Sequence, residues 1–151
     1  MVMPDIRTLL PHSGAMVLLD RVVSADEESL CAEVRIRPDS MFCGTDGVGA
    51  WVGIEYMAQT VAAHAGHLAR LRGEPVKIGF LLGSRRYQCT RSMFTIGGIL
   101  RVHVRRELQA ENGLASFECW IDAQEERIAT ATVTVFQPDN ANDFLKETSN
   151  E

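Results

Sequence analysis

Apolar and polar residues alternate along several stretches of the chain, and a period of two is typical of β-strands that turn one face to a core. Alternating or β-branched stretches predict strands in residues 16–23, 30–37, 100–105, 115–122 and 127–136. The dipeptide Asn112-Gly113 stands between two of these stretches and predicts a β-hairpin. Three or four antiparallel strands are therefore expected in the second half of the chain.

One long segment has a different pattern. Residues 50–72 are apolar almost all round, which predicts a helix that is enclosed by the rest of the protein. Gly73 and Pro75 follow it and are expected to end it. The preceding residues, 38–49, contain three glycines and are predicted to form a loop, with Asp46 as the candidate cap of the helix.

Two strands, one enclosed helix and three or four further strands make an α+β protein. A single apolar helix needs a single sheet that curls around it, and this is the arrangement of the hotdog fold. We predict one hotdog domain in residues 1–138 and a polar C-terminal tail in residues 139–151. Hotdog sheets commonly pair edge to edge, so a dimer is expected by analogy with the fold.

Length and composition agree with one soluble domain. The chain has 151 residues, of which 46% are hydrophobic and 23% charged. Its first residues lack the basic and apolar regions of a signal peptide, and no apolar run is long enough for a membrane span, so we expect a cytoplasmic protein. The four cysteines form no close pair, and this spacing favours free thiols over a disulfide framework or a zinc site.

Glu55 is the most informative single residue, because it lies inside the predicted apolar helix with almost no other charge nearby. An ionised carboxylate in apolar surroundings costs several kcal/mol unless it is paired. A carboxyl group that is partly removed from water can exchange protons near neutral pH, which makes Glu55 a candidate acid or base. The alternative is a Glu near a helix start that the positive end of the helix dipole stabilises.

Several motifs resemble one enzyme family. Leu10-Pro11-His12 with residues 16–22, and likewise residues 54–59, 79–83 and 98–102, are similar to hotdog 3-hydroxyacyl-(acyl-carrier-protein) dehydratases. The resemblance covers roughly residues 9–138. The finer pattern in 57–61, 116–119 and 136–138 is closer to the small dehydratase of aryl polyene biosynthesis. The resemblance implies that Glu55 is catalytic and that the substrate is a 3-hydroxyacyl thioester on an acyl carrier protein.

The chain departs from this family at one functional position. The better-known dehydratases have His-Phe-Pro-Gly fourteen residues before the acid, and their His is the catalytic base. Here the same spacing falls on Met41-Phe42-Cys43-Gly44, and a methionine cannot transfer a proton. His12 is then the best remaining candidate base, with a structural role in its Pro- and Gly-containing loop as the alternative.

Other site residues follow from this reaction. An enolate oxygen needs hydrogen-bond donors, and the candidates are the backbone N–H groups of Gly49, Ala50 and Trp51 at the helix start. The residues expected to line an acyl tunnel are Met41, Phe42, Cys43, Gln59 and Tyr87. No metal or organic cofactor is expected. His64 and His67 are expected to have core or helix-end roles, and His103 is expected at the surface.

The charge distribution suggests an anionic partner. The net charge is −5, yet residues 70–106 contain nine basic residues and one acid. An acidic carrier protein or a phosphopantetheine phosphate fits this segment better than nucleic acid does, because aromatic residues are scarce in it. Arg85, Arg86 and Arg91 are the candidate docking residues, and a solvated strand face is the alternative.

Two further functions stay open. One is a hotdog thioesterase, in which a single acid activates water for acyl hydrolysis. The other is a non-catalytic subunit that binds acyl chains or completes a mixed dimer. In such a dimer the second hotdog chain would supply the histidine that position 41 lacks.

Overall fold

A computed structural model describes residues 3–12, 14–75 and 80–136, without the side chains of residues 80–82. The predicted tail at 139–151, and Lys77 of the basic segment, lie outside the described residues. The one α-helix of this part, α1, is Gly53–Leu71, and short 3-10 turns occur at Ile6–Thr8, Gly14–Met16 and Ala50–Val52. The strands are β1 Arg21–Ala25, β2 Ser29–Arg35, β3 Gly47–Gly49, β4 Phe80–Cys89, β5 Met93–Thr95, β6 Ile99–Gln109, β7 Leu114–Ala123 and β8 Glu126–Phe136.

Six strands form one antiparallel sheet in the order β1-β2-β6-β7-β8-β4. The sheet packs on α1 and does not close into a barrel, which confirms the predicted α+β hotdog architecture. A second sheet, β3 with β5, was not predicted, because strands of three residues are too short to show a period. β3 lies directly before the turn that leads into α1, and the Ala50 N–H of that turn donates to the Ser92 carbonyl next to β5, which helps to fix the start of the helix.

The core lies between α1 and the sheet. Val102, Val104 and Ile121 point inward from the sheet and are fully buried, as is Met57 on the facing side of α1. Burying an aliphatic side chain of this size stabilises the fold by roughly 1.5–3 kcal/mol. The alternation seen in the sequence thus marks the inner face of the sheet correctly.

The start of the first strand and the cap of the helix differ from the prediction. The first strand begins at Arg21 instead of residue 16, because the backbone N–H of Leu18 donates to the Gln59 side chain and is unavailable to a sheet. The predicted cap at Asp46 is wrong. Gly49 occupies the capping position of the turn that leads into α1, without a side-chain bond, and the Asp46 carbonyl accepts from Ile96 N. The hairpin at Asn112-Gly113 is confirmed between β6 and β7.

The N-terminal segment packs tightly on α1 at Gly66. A β-carbon at this position would lie 2.0 Å from the Leu9 carbonyl oxygen, so only glycine allows the two backbones to approach this closely. The contact holds the segment that carries His12 against the helix that carries Glu55. None of the helices in the described part of the chain has the length and hydrophobicity needed to span a bilayer.

Candidate active site

Glu55 lies in the first turn of α1 and is half-buried. Its Oε1 accepts a hydrogen bond of 3.2 Å from Nε2 of Gln59, one helical turn later. Gln59 is itself fixed, because its Nε2 also donates to the Met16 carbonyl (2.7 Å) and its Oε1 accepts from Leu18 N (2.9 Å). A neutral, almost fully buried amide therefore orients the carboxyl group without a compensating positive charge.

His12 faces the same space. His12 and Glu55 both line a cavity of about 610 Å³ beside α1, here called the α1 cavity. The Nδ1 atom of His12 is buried and has no hydrogen-bond partner among the described residues. Buried polar atoms are nearly always paired, so an unpaired imidazole nitrogen at a cavity wall is a place where a bound molecule would supply the partner.

The α1 cavity has one wall made of small residues. Alanines recur along the helix on the cavity side, at Ala58, Ala62, Ala65 and Ala69. Phe117 and Val135 line it from the sheet, and the charged residues Arg72 and Arg106 also contribute to the lining. The volume is within the range of small-molecule sites, and the apolar wall suits an acyl chain that extends from Glu55 along the helix.

His64 also lines this cavity but has a structural role. It is buried, and its Nε2 lies 3.2 and 3.0 Å from the carbonyl oxygens of Asp26 and Glu27 in the turn between β1 and β2. Its ring meets Phe117 edge to face at 5.7 Å. Burial lowers the pKa of His64 below its ordinary value. The predicted core role of His64 is confirmed.

Of the residues predicted to line an acyl tunnel, only Gln59 shares a cavity with Glu55. Met41 lines a separate cavity of about 590 Å³ that also contains Tyr56. Phe42 packs against Trp51 at the surface, and the half-buried Cys43 pairs with Val48 through an isolated bridge. Met41, Phe42 and Cys43 therefore lie outside the α1 cavity in the isolated chain.

Tyr87 supports the start of the helix. Its hydroxyl donates to the Ala50 carbonyl and occupies the space that a side chain at Gly53 would need. Burial raises the pKa of this phenol. The expectation that Ala50 N–H meets an enolate oxygen is corrected, because that N–H already donates to the Ser92 carbonyl at 3.0 Å. Gly49 and Trp51 do not line the α1 cavity, and their role stays a prediction.

The basic segment does not form one continuous surface. Arg85 and Arg86 are exposed on β4, at the edge of the sheet, and Arg91 lies 3.7 Å from Glu126. Arg101 and Arg105 instead pair with acids on neighbouring strands, Glu33 and Glu118. Docking on Arg85, Arg86 and Arg91 stays a prediction.

A comparison with protein-family models matched residues 4–146 to the ApeP-like family, described as ApeP dehydratase. This chain belongs to the ApeP-like dehydratase family. It is similar to the structure of the dehydratase heterocomplex ApeI:P from Xenorhabdus doucetiae, with 27% identity, a TM-score of 0.89 and coverage of 97% of this chain and 99% of that chain.

Two more distant structures share the fold with this family member. A hypothetical thioesterase with coenzyme A from Streptococcus pneumoniae TIGR4 has 13% identity and a TM-score of 0.62, over 78% of this chain and 84% of that chain. AziG from S. sahachiroi has 10% identity and a TM-score of 0.61, over 78% and 90%. The comparison with curated protein sequences gave no significant match.

Sequence reasoning missed one charged cluster in this dehydratase-family chain. Glu33 is 2% exposed, although its strand position points away from the helix. Arg21, Arg35 and Arg101 lie 3.0, 3.2 and 3.5 Å from its carboxylate. The Arg21 guanidinium, which donates two hydrogen bonds, holds the pKa of Glu33 below its ordinary value. The alternation of period two predicted that Glu33 is exposed. Its arginine partners could have been identified only from the pairing of β2 with the neighbouring strands.

His103 also differs from the prediction of a surface histidine. It is half-buried, stacks on Trp120 with ring centroids 5.0 Å apart and lies 3.2 Å from Asp122. Burial lowers its pKa despite the neighbouring carboxylate.

All four cysteines are free, as the sequence predicted. The described residues contain no cluster of histidine, cysteine and acidic side chains that could hold a metal ion.

Proposed function

We propose that this chain dehydrates 3-hydroxyacyl thioesters, carried on acyl carrier protein, to enoyl thioesters in aryl polyene or fatty-acid-type biosynthesis. The observation that supports it is the position of Glu55 and His12 on one cavity whose long wall is apolar. The family supplies the reaction class, since its members are described as dehydratases. We place the reaction in the cytoplasm.

The reaction needs a base at Cα and an acid at the β-hydroxyl. In the proposed mechanism, Nδ1 of His12 accepts the α-proton, because it is buried at the cavity wall without a partner. Glu55 in its protonated form donates to the hydroxyl, which leaves as water while the Cα–Cβ double bond forms. The Gln59 amide holds one carboxyl oxygen of Glu55, so the other is available to the substrate.

Charge also develops on the thioester oxygen during proton removal. Backbone N–H groups at a helix start suit this oxygen because the helix dipole is positive there. Ala50 is excluded from this role by its bond to Ser92, and Gly49 and Trp51 remain the proposed donors.

The acidic carrier protein would dock on Arg85, Arg86 and Arg91. Reversing the charge of Arg85 and Arg86 should raise the KM for a carrier-bound substrate, and an unchanged KM would contradict this docking site.

Intact-mass analysis tests the proposed reaction directly. A 3-hydroxyacyl carrier protein is incubated with the purified chain, beside the Glu55→Gln and His12→Gln variants. Loss of one water with the unchanged chain, abolished by both substitutions, is the expected result. Loss of the whole acyl group would mean a thioesterase, and an unchanged mass would exclude a dehydratase that works alone.

A heteromeric dehydratase is the second candidate, and two observations favour it. Met41 occupies the place of the expected catalytic histidine, and the similar solved structure is a heterocomplex. In this version Glu55 serves a site that is completed by another hotdog chain. Dehydration that appears only after such a chain with an intact His-Phe-Pro-Gly sequence is added would establish it. Dehydration by the isolated chain at the same rate would exclude it.

A further inference from the structure

One face of α1 carries alanines between an acid and a base. Residues that follow one another at intervals of three or four lie on the same side of a helix. Six of them form such a stripe and line the α1 cavity: Glu55, Ala58, Ala62, Ala65, Ala69 and Arg72. The four alanines are here called the alanine wall. Their side chains are short, so the wall leaves room for a chain that runs parallel to the helix axis.

The side of the cavity that faces the alanine wall is apolar as well. Ala115 and Phe117 of β7 and Val135 of β8 line it, and the first two are buried. A space between two apolar surfaces binds hydrocarbon, because each buried methylene group raises the affinity about fourfold. The middle of the α1 cavity therefore suits an extended acyl chain.

The stripe ends in charged residues. Arg72 caps the C-terminus of α1, and the N–H of Glu74 donates to the Ala69 carbonyl. Both Arg72 and Glu74 line the cavity. A hydrocarbon that covers charged groups displaces water from them, which is unfavourable. The apolar part of the cavity therefore ends after Ala69.

Helix geometry converts the alanine wall into distances. A residue advances about 1.5 Å along an α-helix, so Ala62, Ala65 and Ala69 lie about 10, 15 and 21 Å beyond Glu55. An extended hydrocarbon chain advances about 1.25 Å per carbon, since its bonds of about 1.5 Å meet at near-tetrahedral angles. A chain whose reacting carbon lies at Glu55 therefore reaches the three alanines after about 8, 12 and 17 further carbons.

We propose that the alanine wall sets the acyl-chain length that this dehydratase accepts, and that the α1 cavity takes chains of up to about 20 carbons. The inference rests on the proposed function, because it takes Glu55 as the position of the reacting carbons. Ala62, Ala65 and Ala69 are specificity residues. Each contacts the part of the chain that lies at its own depth, and none touches the reacting carbons.

Chain-length selectivity tests the inference. The substrates are 3-hydroxyacyl carrier proteins with 6, 10, 14 and 18 carbons, and the measured quantity is kcat/KM. The protein is the chain alone or, where dehydration requires it, its complex with a hotdog chain that carries His-Phe-Pro-Gly. The unchanged protein should prefer the 18-carbon substrate to the 6-carbon substrate by at least about 30-fold. Equal kcat/KM values for all four substrates would overturn the inference.

Ala62→Leu and Ala65→Leu block the cavity at different depths. Ala62→Leu should lower the 14-carbon to 6-carbon ratio of kcat/KM by at least about 30-fold, because about three methylene groups lose their burial. Ala65→Leu should change that ratio less than about threefold but lower the 18-carbon to 6-carbon ratio by at least about 30-fold. The same length limit in both variants would overturn the inference.

Ala62→Ser is the matched control, since it changes the same position but adds a single oxygen atom. It should leave both ratios within about threefold of their original values. Ala62 and Ala65 are half-buried, and leucine is a good helix former, so thermal melting should show intact folds. An equal loss of activity at every chain length would assign the alanines to packing or to the carrier arm, and would also overturn the inference.

Unreactive ligands separate this inference from the proposed function. Saturated acyl-pantetheine thioesters lack the 3-hydroxyl group and cannot lose water, so calorimetry measures their affinity without the reaction. The expected length preference, with the two shifted limits but without any dehydration, would support the alanine wall and contradict the dehydratase. Water loss that is equally fast at all lengths would support the dehydratase and contradict the alanine wall, as would an absence of acyl-pantetheine binding.

Discussion

Glu55 on α1 and Glu33 on β2 are both acids on elements that contribute to the core, but the charges around the two carboxyl groups differ. Glu33 lies on the outer face of the sheet, almost fully buried among three arginines. Glu55 lies on the helix side, half-buried, and its described partner is the neutral amide of Gln59. Neighbouring positive charges keep a carboxylate ionised, whereas the neutral amide of Gln59 orients the carboxyl group of Glu55 without adding a positive charge.

The comparison separates a structural acid from a candidate catalytic acid. The arginines around Glu33 are each about half-exposed, so they return to water easily if the carboxylate is lost. Glu55 has a cavity beside it and a histidine on the same cavity wall. Replacement by glutamine should therefore lower the stability of the protein at Glu33 and the catalytic activity at Glu55.

Replacing Glu55 should have the largest effect, and it should be on activity. Glu55→Gln keeps the hydrogen bond with Gln59 but removes the exchangeable proton, so dehydration should fall by about 10²–10⁴-fold. The melting temperature should stay within a few degrees. The measurement is single-turnover mass analysis of a 3-hydroxyacyl carrier protein with saturating protein. Residual activity above a tenth of the original rate would contradict an acid role for Glu55.

Replacing Glu33 should reduce stability and leave the chemistry unchanged. Glu33→Gln removes the buried charge that three arginines surround, and it should cost roughly 1–3 kcal/mol at neutral pH by urea unfolding. Because folding lowers the pKa of Glu33, this stabilisation is complete above its ordinary value of 4.5 and is lost as the pH falls through the folded-state value. The difference between the variant and the parent should therefore shrink in acid. A constant difference from pH 7 to pH 3 would contradict this assignment.

His64 should control how stability changes between pH 7 and pH 5. Burial lowers its folded-state pKa, so the unfolded chain binds a proton first as the pH falls below about 6.5, and stability then decreases. One such proton accounts for up to about 1.4 kcal/mol per pH unit. His64→Gln should flatten this slope. His103→Gln is the control, since His103 is more exposed and should change the slope less.

The smallest effect is expected for Arg105 and Glu118. Their side chains are 2.6 Å apart, closer than any arginine contact of Glu33, but they are 54% and 41% exposed. A double-mutant cycle should give a coupling energy below about 1 kcal/mol that decreases further in high salt. A coupling as large as the effect of Glu33→Gln would show that distance, and not burial, decides the strength of these pairs.

Most regular elements were predictable because they have a period, whereas β4, Phe80–Cys89, was not among the strands predicted from alternation. Alternation predicted the inner face of β6 and β7, and the all-round apolar segment predicted α1 to within a few residues. The 3-10 turns and the short strands β3 and β5 were not predicted, because a segment of three residues is too short to show a period. The first strand was predicted to begin too early, because the backbone of Met16 and Leu18 bonds to the Gln59 side chain of α1 and does not join the sheet.

The candidate site was predictable only in its residue types. An acid in an apolar helix drew attention to Glu55, and a Pro- and Gly-containing loop drew attention to His12. The hydrogen bonds that position the site involve residues that are distant in the sequence. Gln59 binds Met16 and Leu18, and Ala50 N–H is used by Ser92. Such pairings depend on tertiary approach, which no local pattern in one sequence reports.

The close packing at Gly66 has a consequence for how this protein tolerates mutation. Glycine inside a helix is about 0.5–1 kcal/mol less favourable than alanine, so alanine would normally be the safer residue there. Here any side chain would push the Leu9 backbone away, and His12 with it. A screen for lost activity would then recover Gly66 variants beside those of Glu55, although Gly66 has no reactive group. A substitution at Gly66 would therefore abolish the reaction although every reactive residue is unchanged.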